Sequence, residues 1–274
     1  CSQSRGLGDV YKRQAQRKPT DTLSSYELLL KGKALHHKVQ KDALLNALTT
    51  FDDAIKADEK NGQAYAWKAC ALGQGLFRGY LEEDFNTVWK QAEDNLKKAR
   101  ELNENDFEVH RLMSEVSLAM KDFRAAQRHS KICYEQVPND PRVLSVYGEV
   151  CLRTGKVDEG LDAVKLALEI DPVAQGKTNA DPRHAAVIFG YYMARDKEGC
   201  LEQINNLEEI DFKSWLLTTK ICRDEEHEFS NLDWFQEGKK LFSDKDFEKE
   251  VQDFRLNNDS ATETLISFAK ELFS

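Results

Sequence analysis

The sequence predicts an all-α protein built from antiparallel helical hairpins that stack on one another. Apolar residues recur every three or four positions along most of the chain, which is the spacing that places them on one face of a helix. Glycines and Asp-Pro pairs interrupt these apolar stripes where helices are expected to turn or end. The alternation of apolar and polar residues that is typical of strands is absent. These observations together favour helices throughout.

The stretch PRVLSVYGEVCLRTGKVDEGLDAVKLALEIDP, residues 141–172, shows this organisation most clearly. Two apolar stripes lie on either side of Gly155, which we expect to form the turn. Gly148 and Gly160 lie inside the helices, where a missing side chain is favourable only if two backbones approach closely. Pro172 cannot continue the second helix, because it lacks a backbone N–H. The stretch is therefore predicted to be a hairpin of two helices packed through small residues.

A related hairpin lies 34 residues upstream. At this offset the two stretches align small or apolar residues: Met113 with Tyr147, Ser114 with Gly148, Ser117 with Cys151, Ala126 with Gly160, Ile132 with Leu166 and Cys133 with Ala167. A helix-turn-helix period of 34 residues is the signature of tetratricopeptide (TPR) repeats. Residues 107–140 and 141–174 therefore resemble consecutive TPR repeats, which implies a superhelical solenoid. The pattern departs from that of the family at Leu144, Gly160 and Val164, where the family usually has Trp, Ala and an aromatic residue.

Looser versions of the same pattern cover much of the chain. The predicted repeats occupy residues 24–61, 62–106, 107–140, 141–174 and 183–211. In the first of them, Phe51 and Ala54 fit the second helix, and Gly32 is the small contact on the first. Stacked repeats bury a continuous core once about three units are present, so this number is sufficient.

Residues 212–274 are predicted to form helices that cap the last hairpin, because a terminal repeat needs a cover with a polar outer face. Trp215, Leu216 and Ile221 are expected to face that hairpin. Ser260 precedes Glu263 by three positions, which predicts a capping box at the start of the last helix. Leu265, Phe268, Ala269 and Leu272 would form its buried stripe.

The N-terminal segment differs from the rest of the chain. Residues 1–14, CSQSRGLGDVYKRQ, start without Met and resemble the translation of a sequencing adapter found at the ends of metagenomic gene fragments. We therefore expect them to be an artefact, residues 15–23 to be a linker, and the natural chain to extend upstream.

A second resemblance concerns the context of the repeats. The stretch RKPTDTLSSYELLLKGKALHH, residues 17–37, is similar to the junction before the C-terminal TPR region of bacterial class III adenylate/guanylate cyclase-like proteins. Residues 181–221 resemble the last repeats of that group. The resemblance implies that the chain is the C-terminal part of a larger bacterial signalling protein. No catalytic residue of the cyclase family is found in this sequence.

Composition limits the classes of partner. With 39 basic and 48 acidic residues the chain has a net charge of −9, which argues against nucleic acid or an anionic membrane surface as the main partner. No apolar run approaches the roughly 20 residues of a membrane span. Five of the six cysteines lie beyond residue 14, none in a C-x-x-C pair, and they favour core packing and a reducing compartment: Cys70, Cys133, Cys151, Cys200 and Cys222. The cytoplasm is the predicted location.

No catalytic, cofactor-binding or metal site is predicted. The sequence QGKT at 175–178 lacks the glycine that a phosphate-binding loop requires at position 171, which is Asp. His36 and His37 lack the H-E-x-x-H spacing and are predicted to be surface or helix-capping residues. Cys133 and His129 lie four residues apart, but the thiol occupies a packing position where it would be inert. We therefore expect no enzyme activity from this chain.

The predicted functional surface is a concave groove lined by the first helix of each repeat. By the resemblance, eight residues face it in the two clearest repeats: Glu108, Arg111, Glu115 and Leu118, followed by Arg142, Ser145, Glu149 and Leu152. Arg111 and Arg142 are the strongest candidates for specific contacts, because arginine forms bidentate pairs with carboxylates. The Lys/Asn pattern by which some family members bind a C-terminal carboxylate is missing. Glu/Arg pairs that satisfy each other on surface helices are the alternative.

The sequence thus predicts a non-catalytic module that binds a protein, a peptide or a second copy of the chain. Three alternatives for the whole protein stay open: a nucleotidyl cyclase, a winged-helix transcriptional regulator, and a free-standing adaptor. Only the upstream sequence separates them.

Overall fold

The computed structural model describes residues 24–175 and 177–274, and these two ranges form fourteen helices and no strand. The helices are α1 (Ser25–His36), α2 (Lys41–Ala57), α3 (Gly62–Phe77), α4 (Phe85–Leu102), α5 (Phe107–Ala119), α6 (Phe123–Gln136), α7 (Pro141–Arg153), α8 (Val157–Ile170), α9 (Asp181–Ala194), α10 (Lys197–Ile204), α11 (Phe212–Asp224), α12 (Asp233–Leu241), α13 (Phe247–Gln252) and α14 (Asp259–Leu272). The predicted all-α class is confirmed. The predicted artefact at 1–14, the linker at 15–23 and Gly176 of the QGKT stretch lie outside the described residues.

The chain divides into two compact units, and the division falls within α5, between Val116 and Ser117. In the first unit α1 pairs with α2 and α3 pairs with α4, while α2 also packs on α3. The buried core of this unit includes Leu29, Leu44 and Phe51. The first unit is thus made of helical hairpins in contact.

In the second unit each helix packs on its neighbours in the chain from α6 to α11. The contacts of α9 with both α8 and α11 join the successive hairpins. The helices beyond residue 211 share one hydrophobic cluster with α9 and α10, in which Ile188, Ile204 and Trp215 are fully buried. Leu216 and Ile221 belong to the same cluster, as do Leu265, Phe268 and Ala269 of the last helix. The C-terminal helices therefore bury the apolar face of the last hairpin.

The bounds of four helices repeat with the period seen in the sequence. Helices α5 and α7 both have 13 residues, and Pro141 follows Phe107 by 34 positions. Helices α6 and α8 both have 14 residues, and Val157 follows Phe123 by the same 34 positions. The helix bounds therefore repeat after 34 residues without a shift of even one position.

Glycines bring α7 and α8 into backbone contact, as predicted. A methyl group built on Gly148 would lie 2.8 Å from the carbonyl oxygen of Gly160, and one built on Gly160 would lie 2.8 Å from the backbone nitrogen of Leu152. Gly155 has a φ of +88°, the left-handed conformation that favours glycine in the turn between the two helices. Helix α8 ends at Ile170, with Asp171 as its C-cap before the proline.

This packing predicts opposite effects for two Gly→Ala substitutions. Gly160→Ala is expected to lower the free energy of unfolding by about 1–3 kcal/mol, because the new methyl group overpacks the interface with α7. Gly73→Ala is the matched control, since it lies inside α3 with no atom within 4 Å of the new Cβ. It is expected to raise the free energy of unfolding by about 0.4–1 kcal/mol, because alanine restricts the unfolded chain. Urea denaturation followed by circular dichroism checks both, and a Gly160→Ala chain as stable as the native one would contradict the close approach.

One sequence-based expectation about a helix end is wrong. The last helix begins at Asp259, and the side chain of Asn258 caps it by accepting a hydrogen bond from the backbone N–H of Ala261. Ser260 therefore lies within the first turn, so the predicted capping box with Glu263 does not form.

The cysteines of the repeats occupy the packing positions that were predicted for them. Cys133, Cys151, Cys200 and Cys222 are buried. Burial raises the pKa of the Cys151 and Cys222 thiols to about 11, so they remain protonated at neutral pH. These side chains therefore act as small apolar groups.

No helix within residues 24–175 and 177–274 has the length and apolar character needed to cross a membrane.

Candidate functional site

In the first unit, polar side chains from α1, α3 and α5 gather around Trp67, which is 3% exposed. The ammonium of Lys33 lies 4.6 Å from the centre of the indole ring, and the guanidinium carbon of Arg111 lies 5.5 Å from it. The imidazole of His36 packs against the same ring with 5.5 Å between centroids. We call this set the Trp67 cluster; its members are Lys33, His36, Trp67, Glu108, Arg111 and Glu115.

Ion pairs connect the charged members of the Trp67 cluster. Glu108, Arg111 and Glu115 lie on one face of α5, since residues three or four positions apart are neighbours on a helix. Arg111 Nη1 donates to Glu115 Oε1 at 2.6 Å, and its Nε donates to Glu108 Oε2 at 3.3 Å. Lys33 Nζ donates to Glu108 Oε1 at 2.9 Å. Two cations and two carboxylates balance the charge of the cluster.

Among residues 24–175 and 177–274, three buried atoms of the Trp67 cluster find no hydrogen-bond partner. They are Arg111 Nη2, Trp67 Nε1 and His36 Nδ1, and Gln74 Oε1 on α3 is a fourth such atom in this unit. Guanidinium and indole nitrogens can only donate, so Arg111 and Trp67 both require an acceptor. A buried donor without an acceptor costs about 1–3 kcal/mol. The cluster is therefore suited to bind an oxygen atom supplied from outside the described residues.

The guanidinium of Arg111 keeps its charge. Burial acts to lower the pKa of Arg111, but the carboxylates of Glu115 and Glu108 outweigh it and raise the pKa above its ordinary value. Arg111 is only 4% exposed, so its charge is held among these partners.

His36 is a buried, neutral histidine, and its predicted place at the surface is wrong. Burial lowers the pKa of His36 to about 3, and the positive charge of Arg111 acts in the same direction. The packing of Trp67 from α3 covers the imidazole, which the sequence of α1 alone does not reveal. His37 is the C-cap of α1, as predicted.

Cys70 lies beside His36 but does not form a nucleophilic pair with it. Its sulfur is 3.8 Å from His36 Nε2. Burial raises the pKa of the Cys70 thiol to about 12, so the thiolate is not populated at neutral pH. The contact is a packing contact.

In the second unit, three of the predicted groove residues line a cavity of about 300 Å³ between α7, α9 and α11. We call it the α7–α9–α11 cavity; its lining includes Ser145, Glu149, Leu152, Arg183, Phe189 and Lys213. Arg183 bonds to the carbonyl oxygens of Asp171 and Pro141 and to the hydroxyl of Ser145. Glu149 forms an ion pair with Arg153 at 2.8 Å. The cavity thus combines apolar walls with charged groups.

The remaining predicted groove residues are engaged elsewhere. Arg142 Nη2 pairs with Asp140 at 2.6 Å, at the start of its own helix. Leu118 is buried against Ala126 and Val150. Arg111 and Arg142 are thus both paired within the chain.

Half of the predicted groove residues offer little surface. Glu108, Arg111, Leu118 and Leu152 are buried, and Leu152 is 0% exposed. Their exposure in a groove is corrected by the structure, because neighbouring helices cover these positions of α5 and α7. Glu115, Arg142, Ser145 and Glu149 are partly exposed. A role for any of the eight in binding a partner remains a prediction.

Sequence reasoning did not identify Lys33, Trp67, Arg183 or Lys213 as site residues. Trp67 carries a signal, because it is the largest side chain in a helix rich in alanine and glycine. The three basic residues carry no such signal, since isolated Lys and Arg are common on helix surfaces.

No family model matches the sequence, and no curated protein matches it. Three solved structures illustrate what the chain is similar to. The Cut9–Hcn1 hetero-tetramer of the APC/C has a TM-score of 0.62 at 14% identity, over 86% of this chain and 43% of that one. Pseudomonas aeruginosa pilF has a TM-score of 0.55 at 14% identity, over 82% of this chain and 98% of that one. A tetratricopeptide repeat protein from Parabacteroides merdae has a TM-score of 0.50 at 14% identity, over 95% of this chain and 90% of that one.

At these identities the likeness concerns the fold. The chain has the fold of tetratricopeptide repeat proteins, so the fold predicted from the 34-residue period is confirmed. The resemblance to the TPR region of cyclase-like proteins finds no support among these structures.

Proposed function

We propose that this chain is a protein-interaction module without catalysis of its own, and that it binds a protein or peptide segment at the Trp67 cluster. The observation that carries the proposal is the pair of buried donors without acceptors, Arg111 Nη2 and Trp67 Nε1. Both belong to first helices of the repeats, which are the helices that line the groove of a TPR stack. Oxygen atoms of a partner bonded at these two nitrogens would satisfy the donors.

The chemistry of the cluster favours a carbonyl or carboxylate oxygen in the partner. Two of the three nitrogens of Arg111 already bond to Glu108 and Glu115, so the third has a defined direction. A hydrogen bond from a charged donor contributes about 1.5–3 kcal/mol when the competing state is a buried, unpaired group. Lys33 and the partly exposed Glu115 lie next to these donors and would contact the flanking residues of the partner. The Cut9–Hcn1 assembly is a hetero-tetramer, which supports a protein partner for a chain of this fold.

A displayed peptide library, selected on the full chain, tests the proposal. Selected peptides are expected to lose at least about tenfold in affinity on Trp67→Phe, which keeps the ring but removes the N–H, because one hydrogen bond is lost. Arg111→Lys should cause a similar loss, since lysine cannot reproduce the three directions of the guanidinium.

Two matched controls lie on α4, a second helix of the same unit. Trp89→Phe removes an indole N–H that donates to Glu93, and Arg100→Lys changes an exposed arginine. Both are expected to leave the affinity unchanged. Peptides that bind the Trp67 and Arg111 variants as well as the native chain would place binding elsewhere, and a failure to select any peptide would contradict the function.

The wider context of the module is a second part of the proposal. We infer that the chain is the C-terminal regulatory or scaffolding part of a larger cytoplasmic bacterial signalling protein. The resemblance of residues 17–37 to the cyclase junction supports this, and the buried, protonated thiols suit a reducing compartment. Sequencing the gene upstream of the codon for Ala15 tests it. A cyclase or winged-helix domain in frame is the expected result, and a nearby start codon with no further domain would identify a free-standing adaptor instead.

Self-association is the remaining alternative for the partner. Sedimentation of the full chain over a range of concentrations distinguishes it, because a second copy in the groove predicts a dimer that the Trp67→Phe variant weakens. A monomer at all concentrations would exclude this occupant.

A further inference from the structure

Lys213 is a positively charged group at the α7–α9–α11 cavity, and none of the residues that the structure describes supplies it with a close counter-ion. Its ammonium lies 4.1 Å from the centre of the Phe189 ring and 5.9 Å from that of Phe254. Within the described residues no carboxylate lies within 4.0 Å of Lys213 Nζ. Aromatic faces stabilise a cation only partly, so this amine lacks the acceptor that a partly buried ammonium normally has.

The charged groups around Lys213 do not supply that acceptor. Glu149 and Asp211 act on the amine from a longer distance, while Arg153 and Arg255 repel it. Glu149 is already bonded to Arg153 at 2.8 Å. Burial lowers the pKa of Lys213 to about 8, and the charge of Arg153 acts in the same direction. The amine is therefore mostly protonated at neutral pH, in surroundings that favour the approach of an anion.

The start of α11 already has a carboxylate cap. Lys213 is the second residue of this helix of 13 residues. The N-terminal end of a helix carries partial positive charge, and here the carboxylate of Asp211 caps it by accepting a hydrogen bond from the backbone N–H of Ser214 at 3.0 Å. A negative group in the cavity would therefore be stabilised by the side chain of Lys213.

The walls of the cavity define the rest of an occupant. Apolar side chains form most of the lining: Leu152, Val164, Ala174, Pro182, Ala185, Ala186 and Phe189. Arg183 is committed to Asp171, Pro141 and Ser145, so it does not compete for the anion. A volume of about 300 Å³ lies at the small end of the range of ligand cavities, which is roughly 300–1,000 Å³. The cavity fits a compact group that has an apolar body and one negative end.

We propose that the α7–α9–α11 cavity binds a small organic monocarboxylate with a short apolar body, and that its carboxylate pairs with Lys213. The carboxylate belongs either to a free organic acid or to the C-terminal residue of a peptide, because both present the same group. This site lies in the second unit and does not depend on the Trp67 cluster of the first unit.

Calorimetric titration of the full chain with hexanoate tests the site. Saturable binding is expected, and hexanamide, which is neutral and of the same shape, should bind at least about tenfold more weakly because the charge pair is lost. A second arm uses a short peptide that ends in leucine, as the free acid and as the amide. Binding of hexanoate identifies a free acid as a sufficient ligand, whereas binding of the peptide acid alone identifies a protein terminus as the source.

Variants separate the charge from the cavity. Lys213→Met removes the charge while keeping an apolar chain, and it should reduce the affinity by at least about tenfold. Ala186→Leu keeps the lysine but fills the cavity, and it should abolish binding. Lys220→Met is the control, because Lys220 lies on the same helix, outside the cavity, and pairs with Asp224.

The number of protons taken up on binding provides a further measurement. The bound carboxylate favours the protonated amine, so it raises the pKa of Lys213 above about 8 and the affinity declines as the pH rises through that region. Proton uptake near pH 8 is therefore expected in the native chain and absent in Lys213→Met. Equal binding by the native and Lys213→Met chains, or no saturable binding of hexanoate or the peptide acid, would overturn the proposal, and neither result bears on peptide binding at the Trp67 cluster.

Discussion

Replacing Trp215 by alanine is expected to lower the free energy of unfolding of the second unit by about 3–5 kcal/mol. Trp215 is 0% exposed. Its ring contacts the rings of Phe235, Phe242 and Phe273, with centroids 5.5–5.7 Å apart. Its indole N–H donates to the carbonyl oxygen of Phe235 at 3.2 Å. The substitution removes these contacts and leaves a large cavity.

Denaturation by urea, followed by circular dichroism, measures this loss. Leu241→Ala is the control, because Leu241 is 56% exposed at the end of α12 in the same unit. It should change the free energy of unfolding by less than about 0.5 kcal/mol. Amide hydrogen exchange locates the destabilised region, since the loss of amide protection should concentrate in α11 to α14. A change no larger than that of the control would show that Trp215 does not hold the C-terminal helices to the last hairpin.

Acid is expected to destabilise the first unit through His36. The pKa of His36 is about 3 in the folded chain, because the ring is buried, and about 6.5 in an unfolded chain. Below the unfolded pKa, only the unfolded state binds this proton. The contribution to stability is therefore complete above about pH 6.5 and falls by about 1.4 kcal/mol per pH unit as the pH decreases towards the folded pKa.

Comparison of the native chain with His36→Leu at pH 7 and pH 5 isolates this effect. Between these values the native chain should lose about 2 kcal/mol more than the variant, because leucine cannot bind a proton. In a titration followed by nuclear magnetic resonance, the imidazole signals of His36 should stay unchanged down to about pH 4, one unit above its folded pKa. Equal pH dependence of the two chains, or a midpoint near 6.5 for His36, would contradict the burial of a neutral imidazole.

Local patterns were sufficient to predict the elements of the fold. The glycines at 148, 155 and 160 have the roles that the sequence assigned to them, because each role depends on neighbours within about one hairpin. The capping box at Ser260 was predicted wrongly, although it too depends on residues close together in the chain. Ser260 and Asn258 are both good N-cap residues, and the backbone of the preceding turn selected Asn258.

The candidate sites were harder to predict from the sequence than the helices. The face of α5 that carries Arg111 was predicted, but its burial was not, since Trp67 and Lys33 cover it from other helices. Lys33 and Glu108 are 75 positions apart in the chain, although their side chains are 2.9 Å apart. A periodic pattern places a residue on a face of its own helix and does not say which residue of another helix lies opposite.

The sequence by itself therefore determined the helical class, the 34-residue hairpin period and the small residues through which helices touch, because these depend on spacing along the chain. Only the tertiary structure decided which charged residues are buried and which are paired. It brought Trp67 and Arg111 together in the first unit, and in the second it left Lys213 without a close counter-ion among the described residues. The physical reason is that the free energy of a charge depends on the solvent and the charges around it, and the packing of distant helices sets both.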